Sequence, residues 1–163
     1  MEKKTGYPKI SRRYVEENYE AVSKVHNKII EVSGGEKGIR DKGGLYNSVY
    51  NILKCMERYG YKDPASIGAF VYEELAKRHH FNDGNKRTAH AFAKIVLMLM
   101  DYHLKIDYTK AVPFIIEIAK FNSKMTLEDI KKWIKPNLVK IPRPDIEKYL
   151  KDVLLDIRDG SQA

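Results

Sequence analysis

The stretch H-H-F-N-D-G-N-K-R-T-A-H-A-F-A-K-I-V-L-M-L-M, His79–Met100, opens polar and closes apolar. From Lys86 to Tyr102, Ala89, Ala91, Phe92, Ala93, Ile95, Val96, Leu97, Leu99 and Met100 cover nearly the whole circumference of a helix. A helix apolar all round is a buried one, so this segment is expected at the centre of the fold. Ahead of it, His79–Arg87 gathers a base, a carboxylate, a glycine, an amide and two cations at the helix mouth. Helix N-termini leave backbone N–H groups without intrahelical partners and carry partial positive charge, which suits a phosphate. Lys86 and Arg87 add full charges that oppose the helix dipole and so call for an anion. Gly84 lets the backbone approach that anion without a Cβ, and Asn85 either caps the helix or donates its NH₂ to a phosphoryl oxygen. Asp83 offers a hard oxygen to Mg²⁺, or equally a helix cap. His79 is suited to take a proton from an attacking hydroxyl, because imidazole titrates near ~6.5 when unperturbed.

Helices are legible on both sides of this stretch. Ser11 reads as the N-cap of Arg12–Val32, where Val15, Tyr19, Val22, Val25 or His26, and Ile29 recur at helical spacing. On that apolar face His26 is expected as a hydrogen-bonded core histidine. S-G-G-E-K-G-I-R-D-K-G-G, Ser33–Gly44, ends the helix with five glycines in twelve residues. Its Arg40 and Asp41 are candidates for guiding a substrate; the alternative is a plain connector in which the two pair with each other. Leu45–Tyr59 resumes the helical pattern up to Gly60, and Asp63 with Pro64 opens a helix to about Arg78. His103–Tyr108 reads as a short strand or link, Thr109–Phe121 as a helix with Pro113 near its start, and Thr126–Ile134 as another. Pro136–Pro144, with three prolines, reads as a linker between a domain at 1–135 and a tail at 136–163. In the tail, Ile146, Tyr149, Leu150, Val153, Leu154 and Ile157 draw an apolar stripe that covers either the chain's own core or a partner, a second copy included. The expected fold is all-α: a helical bundle with the polar loop leading into a buried central helix.

At 163 residues, 43% of them hydrophobic and 32% charged, the chain has the composition of one globular domain and not of a disordered one. Thirty Lys and Arg against 22 Asp and Glu leave a charge of +8, which favours phosphate-bearing partners. A single cysteine, Cys55, excludes an internal disulfide framework. The longest strongly apolar run, Ile95–Met100, falls far short of the ~18–20 residues that span a bilayer. M-E-K-K-T-G-Y-P-K-I at the start lacks the apolar run of an export signal, so a cytoplasmic location is expected. His79, His80, His90 and His103 lie near one another without H-E-x-x-H or cysteine spacing, which sets zinc aside. G-x-x-x-x-G-K-[ST] is absent as well, so phosphate is not held by an ordinary P-loop. Eleven tyrosines and the cluster Lys131, Lys132 and Lys135 would suit nucleic acid, but no recognised module contains them and nucleic acid is not required.

The loop resembles the signature of the Fic/Doc family. Its Fic branch reads H-P-F-x-[DE]-G-N-G-R-x-x-R; the death-on-curing, or Doc, branch has lysine for the second glycine and lacks the final arginine. Those positions here are Lys86 and His90, which resembles the Doc branch more closely. The resemblance extends to K-V-H-N-K-I-I-E-V-S-G-G around His26, to G-I-R-D-K-G-G-L-Y-N-S-V at Gly38–Val49, and to M-T-L-E-D-I-K-K-W-I at Met125–Ile134. It thus covers about Lys9–Ile134. One departure is His80, which stands where the pattern has proline and puts a second imidazole beside the presumed base.

What the resemblance implies is a compact helical fold that binds ATP and Mg²⁺ and transfers a phosphorus-containing group to a protein hydroxyl. His79 would be the general base, Phe81 a core anchor and Asp83 the Mg²⁺ ligand. Gly84, Asn85 and Lys86 would form an anion cradle, with Arg87 on a phosphate. The Doc toxin of this family is a kinase that phosphorylates translation elongation factor Tu and is neutralised by an antitoxin, so a protein phosphotransferase with an antitoxin partner is expected. Adenylyl transfer of the Fic kind and an idle nucleotide- or RNA-binding domain are the alternatives. The family's inhibitory pattern, [ST]-x-x-x-E-[GN], does not occur in this chain, so control from outside is expected.

Overall fold

Short polar side chains stand ahead of most of the apolar runs, and in the computed structural model, which describes residues 10–162, they start the helices. Ser11 accepts from the amide of Tyr14 to open α1 (Arg12–Ser33), Asp41 from Gly44 to open α2 (Lys42–Tyr59), and Asp63 from Ser66 to open α3 (Pro64–Lys77). After α4 (Asn85–Leu99), Asp107 opens α5 (Tyr108–Ala119), Thr126 opens α6 (Leu127–Ile134) in a capping box with Asp129, and Asp145 opens α7 (Ile146–Ser161). Each such cap satisfies an otherwise orphaned amide and contributes ~1 kcal/mol. Among the described residues α4 alone starts without one: its N-cap is Gly84, which has no side chain to offer.

The protein is mainly α-helical, as expected. α4 lies at the centre, with α3, α1, α5 and α7 packed around it. Ala89, Ala91, Ala93, Val96, Leu97 and Met98 of α4 are all buried, the alanines allowing neighbouring backbones close. No helix among the described residues is long and apolar enough to cross a membrane.

Local differences from the sequence reading have physical reasons. α2 begins at Lys42, so Gly43 and Gly44 are helical; the Asp41 cap on Gly44, at 2.8 Å, offsets their poor propensity. α5 ends at Ala119, leaving Phe121 beyond it and fully exposed, and Pro113 sits inside the helix. Leu138–Lys140, within the expected linker, is a strand, β2, antiparallel to β1 (Tyr102–Leu104) with His103 opposite Val139. Its prolines flank the paired residues, so no ladder donor is lost. Arg143 adds a hydrogen bond to the Leu99 carbonyl at 2.6 Å. The apolar stripe of α7 covers this chain's own core: Tyr149, Val153 and Ile157 are buried, and the helix lies on α1, α5 and α4. Residues 1–9, read for an export signal, lie outside the described residues.

Candidate functional site

α3 ends at Lys77, Arg78 still has helical backbone, and His79 then turns left-handed with φ +50°. For a residue with a Cβ that conformation costs roughly 1–2 kcal/mol, so something around it must hold it. The turn brings His79 to the wall of a cavity of about 310 Å³, which it shares with Arg40, Asn82, Asp83, Lys86, Arg87 and Tyr108. The imidazole is half-buried, and neither ring nitrogen has a hydrogen-bond partner among the described residues.

The loop from Phe81 to Asn85 is closed on itself. Asn85 accepts from the Phe81 amide and donates its NH₂ to the Phe81 carbonyl, both at 3.0 Å. Its amide group is therefore bound to the loop backbone through one N–H, while the residue itself lines the cavity. Phe81, 1% exposed, stacks on His26 with ring centroids 3.9 Å apart. His26 is the core histidine expected: Nε2–H donates to the Asp83 carbonyl at 2.7 Å. Burial, and then the nearby Arg87 charge, lower its pKa against the pull of that hydrogen bond. Gly84 is left-handed at φ +78°, and a Cβ there would lie 3.1 Å from Ile30 Cδ1 and 3.4 Å from His26 Nε2. Its missing side chain thus faces inward, so the turn and its inner packing require glycine, while its backbone lines the cavity.

The glycine loop of residues 34–41 lies over the polar one. Ile39 bridges Phe81, the Asn82 amide donates to Gly38 at 3.0 Å, and the His80 carbonyl accepts from Arg40 at 2.7 Å and from Asp41 at 3.1 Å. Arg40 thereby lines the cavity. Asp41 does not: its carboxylate caps α2, and the Arg40–Asp41 ion pair of the alternative reading is absent among the described residues. Gly35, at φ +113°, is required where a Cβ would collide with the Asp83 carboxylate.

The charges around α4 divide the work. Arg87 donates from Nη1 to Ser33 Oγ at 2.6 Å and to the Gly34 carbonyl at 2.7 Å, and pairs through Nη2 with Asp83 Oδ1 at 3.3 Å. It ties α4 to the end of α1 while lining the cavity. Lys86 has no carboxylate partner among the described residues, so its charge is available to a ligand. Asp83 accepts from the Gly84 amide at 2.7 Å and the Glu36 amide at 3.3 Å. Burial would raise its pKa, but those amides and the Arg87 guanidinium outweigh it and hold the carboxyl below its ordinary value.

The remaining histidines point elsewhere. His80 is 2% exposed with Nε2 2.7 Å from Ser48 Oγ, so it is not the second imidazole at the base that the sequence suggested. His90, 0% exposed, meets the Tyr72 hydroxyl through Nδ1 at 2.6 Å. No group of three metal-ligating side chains occurs among the described residues. That is no obstacle to Mg²⁺, which typically takes one or two carboxylates and completes its shell with water and substrate phosphates. Asp83, ionised and 47% exposed at its side chain, fits that part. Tyr108 was missed by the sequence reading, which placed it at the end of a link before Thr109; Asp107 caps α5 instead, and Tyr108, its first residue, lines the cavity.

A larger cavity, about 430 Å³, lies between α2, α3 and α6 beside Cys55, Arg58, Phe70 and Lys131, and holds no comparable set of base, carboxylate and free amides. Among curated proteins no relative matches the chain. The family model described as Fic/DOC family matches residues 16–97, a span that takes in most of α1, the glycine loop, the polar loop and most of α4. The chain therefore belongs to the Fic/DOC family, whose members are typically transferases acting on protein hydroxyls.

Proposed function

We propose that the chain is a Doc-like protein phosphotransferase that moves the γ-phosphoryl group of ATP to a Ser or Thr hydroxyl. One observation carries the reading: the uncapped N-terminus of α4 shares a cavity with a His79 imidazole free of hydrogen bonds and with the unpaired Lys86. A triphosphate placed there would accept from the amides of Asn85, Lys86 and Arg87, with Lys86 balancing its charge. His79 takes the proton of the attacking hydroxyl as its oxygen bonds to the γ-phosphorus. The bond from that phosphorus to the bridging oxygen breaks, ADP leaves with the electron pair, and His79 releases its proton to water. Asp83 would hold Mg²⁺, which supplies neutralisation of charge on the phosphate oxygens.

Phosphoryl over adenylyl transfer is favoured by Lys86, which stands where the AMP-transferring pattern has glycine. It is favoured also by His90, buried on Tyr72 where that pattern has arginine. The role that follows is the toxin of a cytoplasmic toxin–antitoxin pair, acting on a translation factor such as elongation factor Tu and restrained by a partner protein. The test uses ATP labelled on either the α- or the γ-phosphorus in a cell lysate. The γ label is expected on a target protein, and His79→Ala is expected to lower its transfer by ~10²–10⁴ while nucleotide still binds. Transfer of the α label, or undiminished transfer by His79→Ala, refutes the reading.

A further inference from the structure

Ser48 and Glu74 stand on the inward faces of α2 and α3, at 0% and 4% exposure, although both are polar. The Ser48 hydroxyl donates to Glu74 Oε2 at 2.7 Å and lies 2.7 Å from His80 Nε2. A hydroxyl has one proton to donate, so at His80 it accepts, and the imidazole carries its proton on Nε2. The same Glu74 oxygen takes Arg78 Nε at 3.3 Å. Arg78 and His80 are the two neighbours of His79 in the chain, and His79 is the residue with the strained left-handed backbone. A single carboxylate oxygen thus grips one flank of His79 directly and the other through a serine. The His80 carbonyl, fixed by the same ring, receives the amides of Arg40 and Asp41.

We propose that Ser48, Glu74 and His80 are positioning residues, a buried relay that holds the backbone of His79 in its left-handed turn and so aims the imidazole, and with it Arg40, into the cavity. The proposal rests on His79 being the general base. The relay stands where the family pattern has proline: side-chain hydrogen bonds here do the fixing that a ring does there.

The experiment compares wild type, Ser48→Ala, Glu74→Gln and Ile115→Val, the last a core truncation in α5 away from the loop. Three quantities are read: kcat and KM for ATP in the transfer assay, the NMR scalar couplings of His79 that report the sign of φ, and amide exchange at Arg40 and Asp41. Ser48→Ala is expected to lower kcat about 10- to 100-fold, within the ~10²–10⁴ a general base supplies, with KM for ATP unchanged. The His79 couplings should shift and exchange at Arg40 and Asp41 should quicken. Glu74→Gln keeps the shape and should show a smaller effect of the same kind; should it fail to fold, Ser48→Ala decides alone. Ile115→Val should lower the melting temperature and leave all three readouts as in wild type. Ser48→Ala with unchanged couplings and exchange overturns the relay, and so does a matching loss of kcat in Ile115→Val. A wild-type protein that transfers nothing removes the base reading only; the couplings and exchange then settle the relay by themselves.

Discussion

Replacing Asn85 with aspartate keeps the shape of the side chain and reverses one half of its hydrogen bonding. In the native loop the amide group faces both polar atoms of Phe81 at 3.0 Å, accepting from one and donating to the other. An ionised carboxylate still accepts from the Phe81 amide but sets a second oxygen against the Phe81 carbonyl, at a site 9% exposed. A buried polar group left without its partner costs about 1–3 kcal/mol, and more when a charge is buried with it, so Asn85→Asp should lose about 2–4 kcal/mol at neutral pH. For a chain of this size each kcal/mol corresponds to about 2–4 °C, which gives a fall of roughly 4–16 °C in a thermal melt. The dependence on pH is the sharper test. Burial against a carbonyl raises the pKa of the introduced acid above its unfolded value, so between the two values the folded state binds more protons. Its protonated form donates to Phe81 much as Asn85 does, and stability returns as pH falls. The gap between Asn85→Asp and wild type should therefore narrow from about pH 7.5 to about pH 5, whereas the gap for Asn85→Ala should not. A melt of Asn85→Asp that coincides with wild type, or a gap that ignores pH, refutes the account of the loop as a closed ring.

Gly84→Ala forces a side chain into a left-handed turn and against Ile30 and His26, so a loss of about 1–3 kcal/mol is expected in chemical denaturation. Wild-type stability in that variant would contradict the inward packing. Burial lowers the pKa of His26, His80, His90 and His103. Below the unfolded value of about 6.5 the unfolded chain therefore binds more protons, and stability should fall with pH there while staying flat above it; denaturation from about pH 7.5 to about pH 5 checks this. Truncation after Pro144 removes Tyr149, Val153 and Ile157 from the core, each worth about 1.5–3 kcal/mol of burial, against a typical total of about 5–15 kcal/mol. The shortened chain should lose its cooperative melt. A melt like that of the full chain would instead support 1–135 as a domain in its own right.

Much of this architecture is local and was therefore readable from residues in a row. Ser11, Asp63 and Thr126 announced helix starts because a cap needs only its own next turn, and the apolar circumference of α4 announced a buried helix. His79–Arg87 was legible as a candidate site because its residue types are adjacent. What escaped needed contacts between distant residues. β2 was masked by its flanking prolines, since only its pairing with β1 makes Leu138–Lys140 a strand. The inward face of Gly84 depends on Ile30 and His26, and the use of Asn85 on the exact return of Phe81. Ser48 and Glu74 did leave a trace: each occupies an apolar-face register, beside Leu45, Val49 and Ile52 in α2 and beside Val71 and Leu75 in α3. A polar residue in an apolar register signals a buried partner without saying which one.

The ring between Asn85 and Phe81 also bears on how the cleft can change over evolutionary time. With its doorway riveted by the Asn85 side chain to the Phe81 backbone, the entrance to α4 keeps one depth whatever occupies it. Retuning what is admitted then falls to Arg40 and Lys86, cavity-lining side chains that take no part in the ring. The chain thus separates a bonded frame from an aperture whose side chains carry no share of that bonding.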